Sequence, residues 1–159
     1  MHWETALSTT AEVAIGIAGF SAVFAAVARR SPNAWHSTEA LALSILLLAS
    51  ASAVFASLLP FLLLDAGLSA SSMWSAASAL YGVWLLGIVS LRVRQGERLR
   101  AATAARRASA LVTMAMAAFV LFNAASLRSS WPYVLAVYWQ LFVAFSAFLM
   151  LLRGASSSE

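Results

Sequence analysis

This sequence predicts an all-α integral membrane bundle of five transmembrane helices, with the N-terminus outside and the C-terminus cytoplasmic. Three observations carry that prediction. Apolar residues make up 62% of the 159-residue chain and charged residues only 10%, against roughly 45–50% and 25% in an average soluble protein. A soluble domain has too few charges here to cover its surface. The apolar residues gather in stretches near the roughly 20 residues that a helix needs to cross a ~30 Å hydrocarbon core. The charges gather between those stretches. Disorder is excluded by the same composition, since it requires low hydrophobicity and high net charge.

The spans follow in order. The first runs over about 5–28. The start, Met1-His2-Trp3-Glu4, lacks the positive n-region of a secretory signal, and the apolar stretch behind it is too long for an h-region. It therefore reads as a membrane span rather than a cleaved peptide. The second span covers about 38–64 and ends at Asp65-Ala66-Gly67, a turn signal. The third covers about 72–91 and the fourth about 105–126. The fifth covers about 132–152 and opens with Trp131-Pro132, where proline is tolerated in the first helical turn. All five are continuously apolar rather than alternating, which excludes barrel strands. Together they read as one domain over residues 1–153, with 154–159 as a short frayed tail. No internal repeat is visible, and an odd number of spans does not split into inverted halves.

Arginine sets the orientation. All ten basic residues are Arg. Arg29 and Arg30 follow the first span. Arg92, Arg94, Arg98, Arg100, Arg106 and Arg107 follow the third. The opposite side carries only Arg128, while Arg153 lies at the C-terminal end. By the positive-inside rule the first two groups face the cytoplasm. Trp3, Trp35, Trp74, Trp131 and Tyr133 fall near span ends, where an aromatic belt places them. The Ala- and Arg-rich, Lys-free usage points to a high-GC bacterial genome, and so to the bacterial cytoplasmic (inner) membrane as location.

Several chemistries are excluded. The absence of Cys removes a disulfide framework, a zinc-thiolate site and a thiol nucleophile. The absence of Lys removes Schiff-base chemistry, a retinal-type pigment included. No Ser-His-Asp set, phosphate loop or in-span carboxylate pair is present, so the chain reads as no enzyme. No cofactor and no metal site is expected. His2 and His36 fall on opposite membrane faces, and His36 and Glu39 read as an interfacial ion-pair set with Arg29 and Arg30.

Glu12 is the sharpest feature. It lies about seven residues into the first span, roughly 10 Å below the boundary at ~1.5 Å per residue. An ionisable group at that depth costs at least ~2.5–3.5 kcal/mol on insertion scales. It must therefore meet a partner, a cavity or another subunit. The functional reading is a cation- or proton-exchanging site; the alternative is a hydrogen-bonded carboxyl that joins helices. Ser57, Ser78, Tyr81, Asn123 and Gln140 fall at similar depth on the other spans and are candidate polar neighbours. Each is also explained singly, by hydroxyls bonding their own helix and amides bridging helices.

Small residues mark the packing. Ala14, Ala18, Ala22 and Ala26 repeat every fourth residue, with Gly16 and Gly19 on the Glu12 side. Such residues let backbones approach in lipid, either inside the bundle or between copies of the chain. A homo-oligomer built there would gather Glu12 side chains, and acidic rings select cations. Pro60 should bend the second span by removing a hydrogen bond. Arg92, Arg94, Arg98 and Arg100 are candidates for lipid head groups, at about 1 kcal/mol each, with Gly96 as a possible helix break. A positive-inside loop accounts for that charge, so no nucleic-acid partner is expected.

Two stretches carry a resemblance. Ile17-Ala18-Gly19-Phe20-Ser21-Ala22-Val23-Phe24-Ala25-Ala26-Val27-Ala28-Arg29-Arg30 is one. The other is Leu58-Leu59-Pro60 followed by Ala66-Gly67-Leu68-Ser69 and Trp74. Both resemble a group of small bacterial multi-pass membrane proteins of no assigned activity. The likeness covers the first three spans and, more loosely, Tyr133 to Leu152. Size and span number are also similar to the tryptophan-rich sensory protein family, but the Trp- and Pro-rich segment that family carries after its first span is absent here. No porphyrin or sterol site is implied. The expected function is passage of a cation or proton through Glu12. The alternative is a non-catalytic module that binds lipid or an apolar ligand, or assembles with a partner protein.

Overall fold

The computed structural model describes residues 2–28, 37–98 and 104–156, with side chains over 2–23, 40–91 and 107–152. They form α1 (Trp3–Ala28), α2 (Ser37–Asp65), α3 (Ala70–Arg98), α4 (Ala104–Phe122), a π-helical turn (Asn123–Leu127) and α5 (Ser130–Ser156). Five helices are long and apolar enough to cross a membrane, and there is no strand among the described residues. The molecule is an all-α chain with the helix content of a multi-pass membrane protein. Helix is the required answer in lipid, because every backbone N–H and C=O must be satisfied within the segment.

Local chemistry fixes the helix ends. α2 stops in a Schellman motif: Leu68 N–H donates to Leu63 O at 3.2 Å and Gly67 N–H to Leu64 O at 2.9 Å. Gly67 takes φ +83°, a value that favours glycine because a Cβ clashes there. Ser69 then starts α3, its Oγ accepting from Ser72 N–H at 3.4 Å. α3 continues as one helix to Arg98, so the break expected at Gly96 does not occur; glycine inside a helix costs only about 1 kcal/mol. α5 likewise runs through Gly154 to Ser156; residues 157–159 of the expected tail lie outside the described residues. Pro60 lies inside α2 without ending it.

The chain packs as two compact units. One comprises Met1–Leu58 and Val137–Glu159, the other Leu59–Ala136. In the first unit α2 and α5 run antiparallel. Ala42 and Leu46 pack with Ala147 and Leu151, and Ala49 packs with Val143 and Ala144. Ile17 of α1 joins the first of these clusters.

In the second unit α3 packs on α4 and on the π turn. Gly82 makes the close approach: a Cβ there would lie 2.6 Å from Leu121 Cγ. Trp74, Tyr81 and Tyr133 are buried together, with ring centroids 5.7 Å (Trp74–Tyr133) and 5.4 Å (Tyr81–Tyr133) apart. Trp74 and Tyr133 are therefore core residues, not members of an interfacial belt. Their position near span ends gives depth and not facing. Trp131 does stay exposed, stacked at an angle on Phe119.

Candidate functional site

α1 is two-faced. Leu7, Thr10, Ala11, Ala14 and Ser21 are buried. Glu12, Gly16, Gly19 and Val23, at i, i+4, i+7 and i+11, are exposed. At 3.6 residues per turn these two sets stand on opposite sides of the helix. Glu12 is thus exposed on the side of α1 opposite its buried face, at the centre of the apolar stretch Trp3–Val23. No hydrogen bond or ion pair reaches it from the described residues. A Cβ built on Gly16 or Gly19 meets nothing within 4 Å. The alanine series divides: Ala14 packs inward, while Ala22 is exposed. The glycines on the Glu12 side serve no contact within the described chain.

The other polar residues of the predicted set take separate positions. Asn123 and Ser78 do meet, Asn123 Nδ2 donating to Ser78 Oγ at 2.8 Å. The same nitrogen donates to Ser129 O at 2.9 Å, and Oδ1 accepts from Ser129 N–H at 3.1 Å. Both ends of the amide are used, so this is a clasp that ties the π turn to α3. Ser75 Oγ adds a bond to Ala124 O at 2.7 Å. The turn ends at Arg128, in the left-handed region with φ 49°, and Arg128 N–H donates to Asn123 O at 2.8 Å. Tyr81 Oη donates to Ala136 O at 3.3 Å. These groups hold helices and leave little to offer an ion.

Ser57 and Gln140 belong to the first unit and are wholly buried. Neither finds a hydrogen-bond partner. An unpaired buried polar group costs on the order of 1–3 kcal/mol, so this pair stands out against the satisfied clasp. Ser50, which sequence depth alone did not single out, shares that state. Its signal was the seven-residue spacing from Ser57, which returns to the same helix face.

No protein family, curated protein or solved structure matches this chain.

The basic set is only partly placed. Arg92, Arg94 and Arg98 lie in the helical C-terminal part of α3, beyond its apolar stretch Ala70–Leu91. Arg100, Arg29, Arg30 and His36 lie outside the described residues. In the first unit an open groove of about 350 Å³ runs between α1 and α5, lined by Val13, Ile17, Tyr138, Leu141, Phe142 and Phe145. Its walls are almost entirely apolar, which suits a hydrocarbon chain.

Proposed function

We propose that this is a multi-pass membrane protein that works as an assembly of identical chains. The exposed face of α1 docks on a second copy, and Glu12 side chains meet at that contact to exchange protons or hold a cation. One observation carries the reading: Glu12 stands at the middle of an apolar helix, on the face that is exposed among the described residues. A carboxyl does not face lipid tails at that depth without a partner. Gly16 and Gly19 on the same face let a second backbone come close. α4 supports the distinction. It too is largely uncovered, but it exposes Leu111, Val112, Met114 and Phe122, for which lipid is an adequate neighbour. The proposed role is non-catalytic, and the membrane is the bacterial inner membrane that the composition suggests.

The test counts subunits in bilayers by stepwise photobleaching, with cation and proton flux measured on the same proteoliposomes. Wild type is expected to assemble and conduct. Gly16→Leu with Gly19→Leu should give single chains, and Glu12→Gln should assemble without flux. A wild-type protein that is monomeric would overturn the reading. An assembly whose flux survives Glu12→Gln would remove Glu12 from the conducting role.

A second reading has its own observation, the apolar groove beside α1. A lipid acyl chain lying along Val13, Ile17 and Phe142 would make the protein a lipid-binding module. Native mass spectrometry distinguishes the two: a lipid retained by a single chain favours the groove, and a lipid-free oligomer favours the α1 contact.

A further inference from the structure

Among the described residues, the buried side-chain atoms with no hydrogen-bond partner are Ser50 Oγ, Ser57 Oγ, and Nε2 and Oε1 of Gln140. All belong to the same compact unit, and the packing between α2 and α5 sets Gln140 at a level between Ser50 and Ser57. Along α2, Ala42 and Leu46 cluster with Ala147 and Leu151 of α5, and Ala49, further along, clusters with Val143 and Ala144. One further turn places Ala53 level with Gln140. Ser50 and Ser57 lie at i−3 and i+4 from Ala53, one turn to either side on the same face. Ala53 stands at the centre of Ala40–Asp65, and Gln140 at the centre of Ser130–Leu152. The unpaired atoms therefore lie buried within about one helical turn of the middle of the spans.

Other buried hydroxyls, on α1, α2 and α4, do not share that state. Thr10, Ser21, Ser52 and Thr113 donate to the carbonyl four residues back, at 2.6–2.8 Å. Ser50 and Ser57 do not take that route, and Gln140 has no such local partner. Buried polar groups in native proteins are satisfied by protein or by ordered water. We propose that Ser50, Ser57 and Gln140 form a hydration site that holds ordered water between α2 and α5 at mid-membrane.

The ligand class follows from the donor set. An amide offers two donors and an acceptor oxygen, and each hydroxyl both donates and accepts. All three side chains are neutral. A bare cation satisfies the oxygens and leaves Nε2 unpaired; an anion does the reverse. Water both donates and accepts, and a buried water needs two to four polar partners of this kind. The buried α2 residues between the two serines include Ala53 and Ala56, whose side chains are single methyls. The site uses no residue of the α1 face, so it stands or falls separately from the proposed assembly.

The test is water-edited solid-state NMR on the full chain in lipid bilayers, with 15N-labelled glutamine. The chain has two glutamines, Gln95 and Gln140, and Gln95→Asn assigns the remaining side-chain amide. The expected result is magnetisation transfer from water to the Gln140 amide in wild type, and loss of that transfer in Ser50→Ala with Ser57→Ala. A Gln140 amide that receives nothing from water, correlating with a protein carbonyl or hydroxyl instead, would overturn the site. Transfer unchanged in the double variant would equally overturn it, since the serines would then take no part.

Discussion

Asn123 shows most clearly what one side chain does here. Its amide spans Ser78 on α3 and Ser129 ahead of α5, so it closes the turn and fixes α3 against it. Truncation leaves the Ser129 N–H without this acceptor and removes the bonds its Nδ2 donates. Asn123→Ala is expected to lower stability by on the order of 1–3 kcal/mol, read as a shift in SDS-driven unfolding of the protein in mixed micelles. An unchanged unfolding midpoint would mean the clasp is not used. Asn123 and Ser78 could be named from sequence because both are polar at membrane depth. Their pairing could not, because it depends on helix rotation. Glu12 shows the same limit from the other side: its depth was legible, and its outward facing was not.

At the scale of elements, the glycines of α3 separate packing from open surface. Gly82 stands against Leu121 and 3.4 Å, measured from a would-be Cβ, from Ala117 O. Gly87 on the same helix has nothing within 4 Å. Gly82→Ala pushes a branched side chain back toward α4 and should cost about 1–3 kcal/mol, the range for overpacking. Gly87→Ala should be neutral or stabilise by up to ~1 kcal/mol through helix propensity. The same unfolding assay reads both, and equal effects would contradict the α3–α4 contact. Helix existence was legible from apolar length. The end of α2 was legible as well, since Asp65-Ala66-Gly67 is a stop signal with a mechanism. The π turn was not. It ends on Arg128 in a left-handed conformation, and arginine there carries no sequence mark of the kind that glycine gives at Gly67. Gly82 carries no mark in the sequence, because its role depends on Leu121 of α4 beside it.

At the scale of the whole molecule, two sequence signals remain to be joined to the fold. The first is charge. Eight arginines fall between spans one and two or from the end of span three into the first turn of span four, against Arg128 alone on the other side. The positive-inside rule then predicts a cytoplasmic C-terminus. A fluorescent protein fused there should fluoresce and alkaline phosphatase fused there should be inactive; the reverse pattern would invert the topology. The second is the α1 face. An acid with two glycines, at i, i+4 and i+7, reads in sequence either as internal packing or as a contact between copies. The structure assigns Ala14 to the interior and leaves Glu12, Gly16 and Gly19 outside. Which stripe is buried and which exposed needed the third dimension, because both carry small residues at helical spacing.

Cysteine cross-linking across that face tests the central claim most directly. The chain contains no cysteine, so each single substitution reports alone. In native membranes under mild oxidation, Gly16→Cys and Gly19→Cys should form disulfide-linked dimers. Phe55→Cys on α2 and Leu111→Cys on α4, both highly exposed, should not. Cross-links absent from α1, or equally strong at all four positions, would contradict a contact built on the Glu12 face.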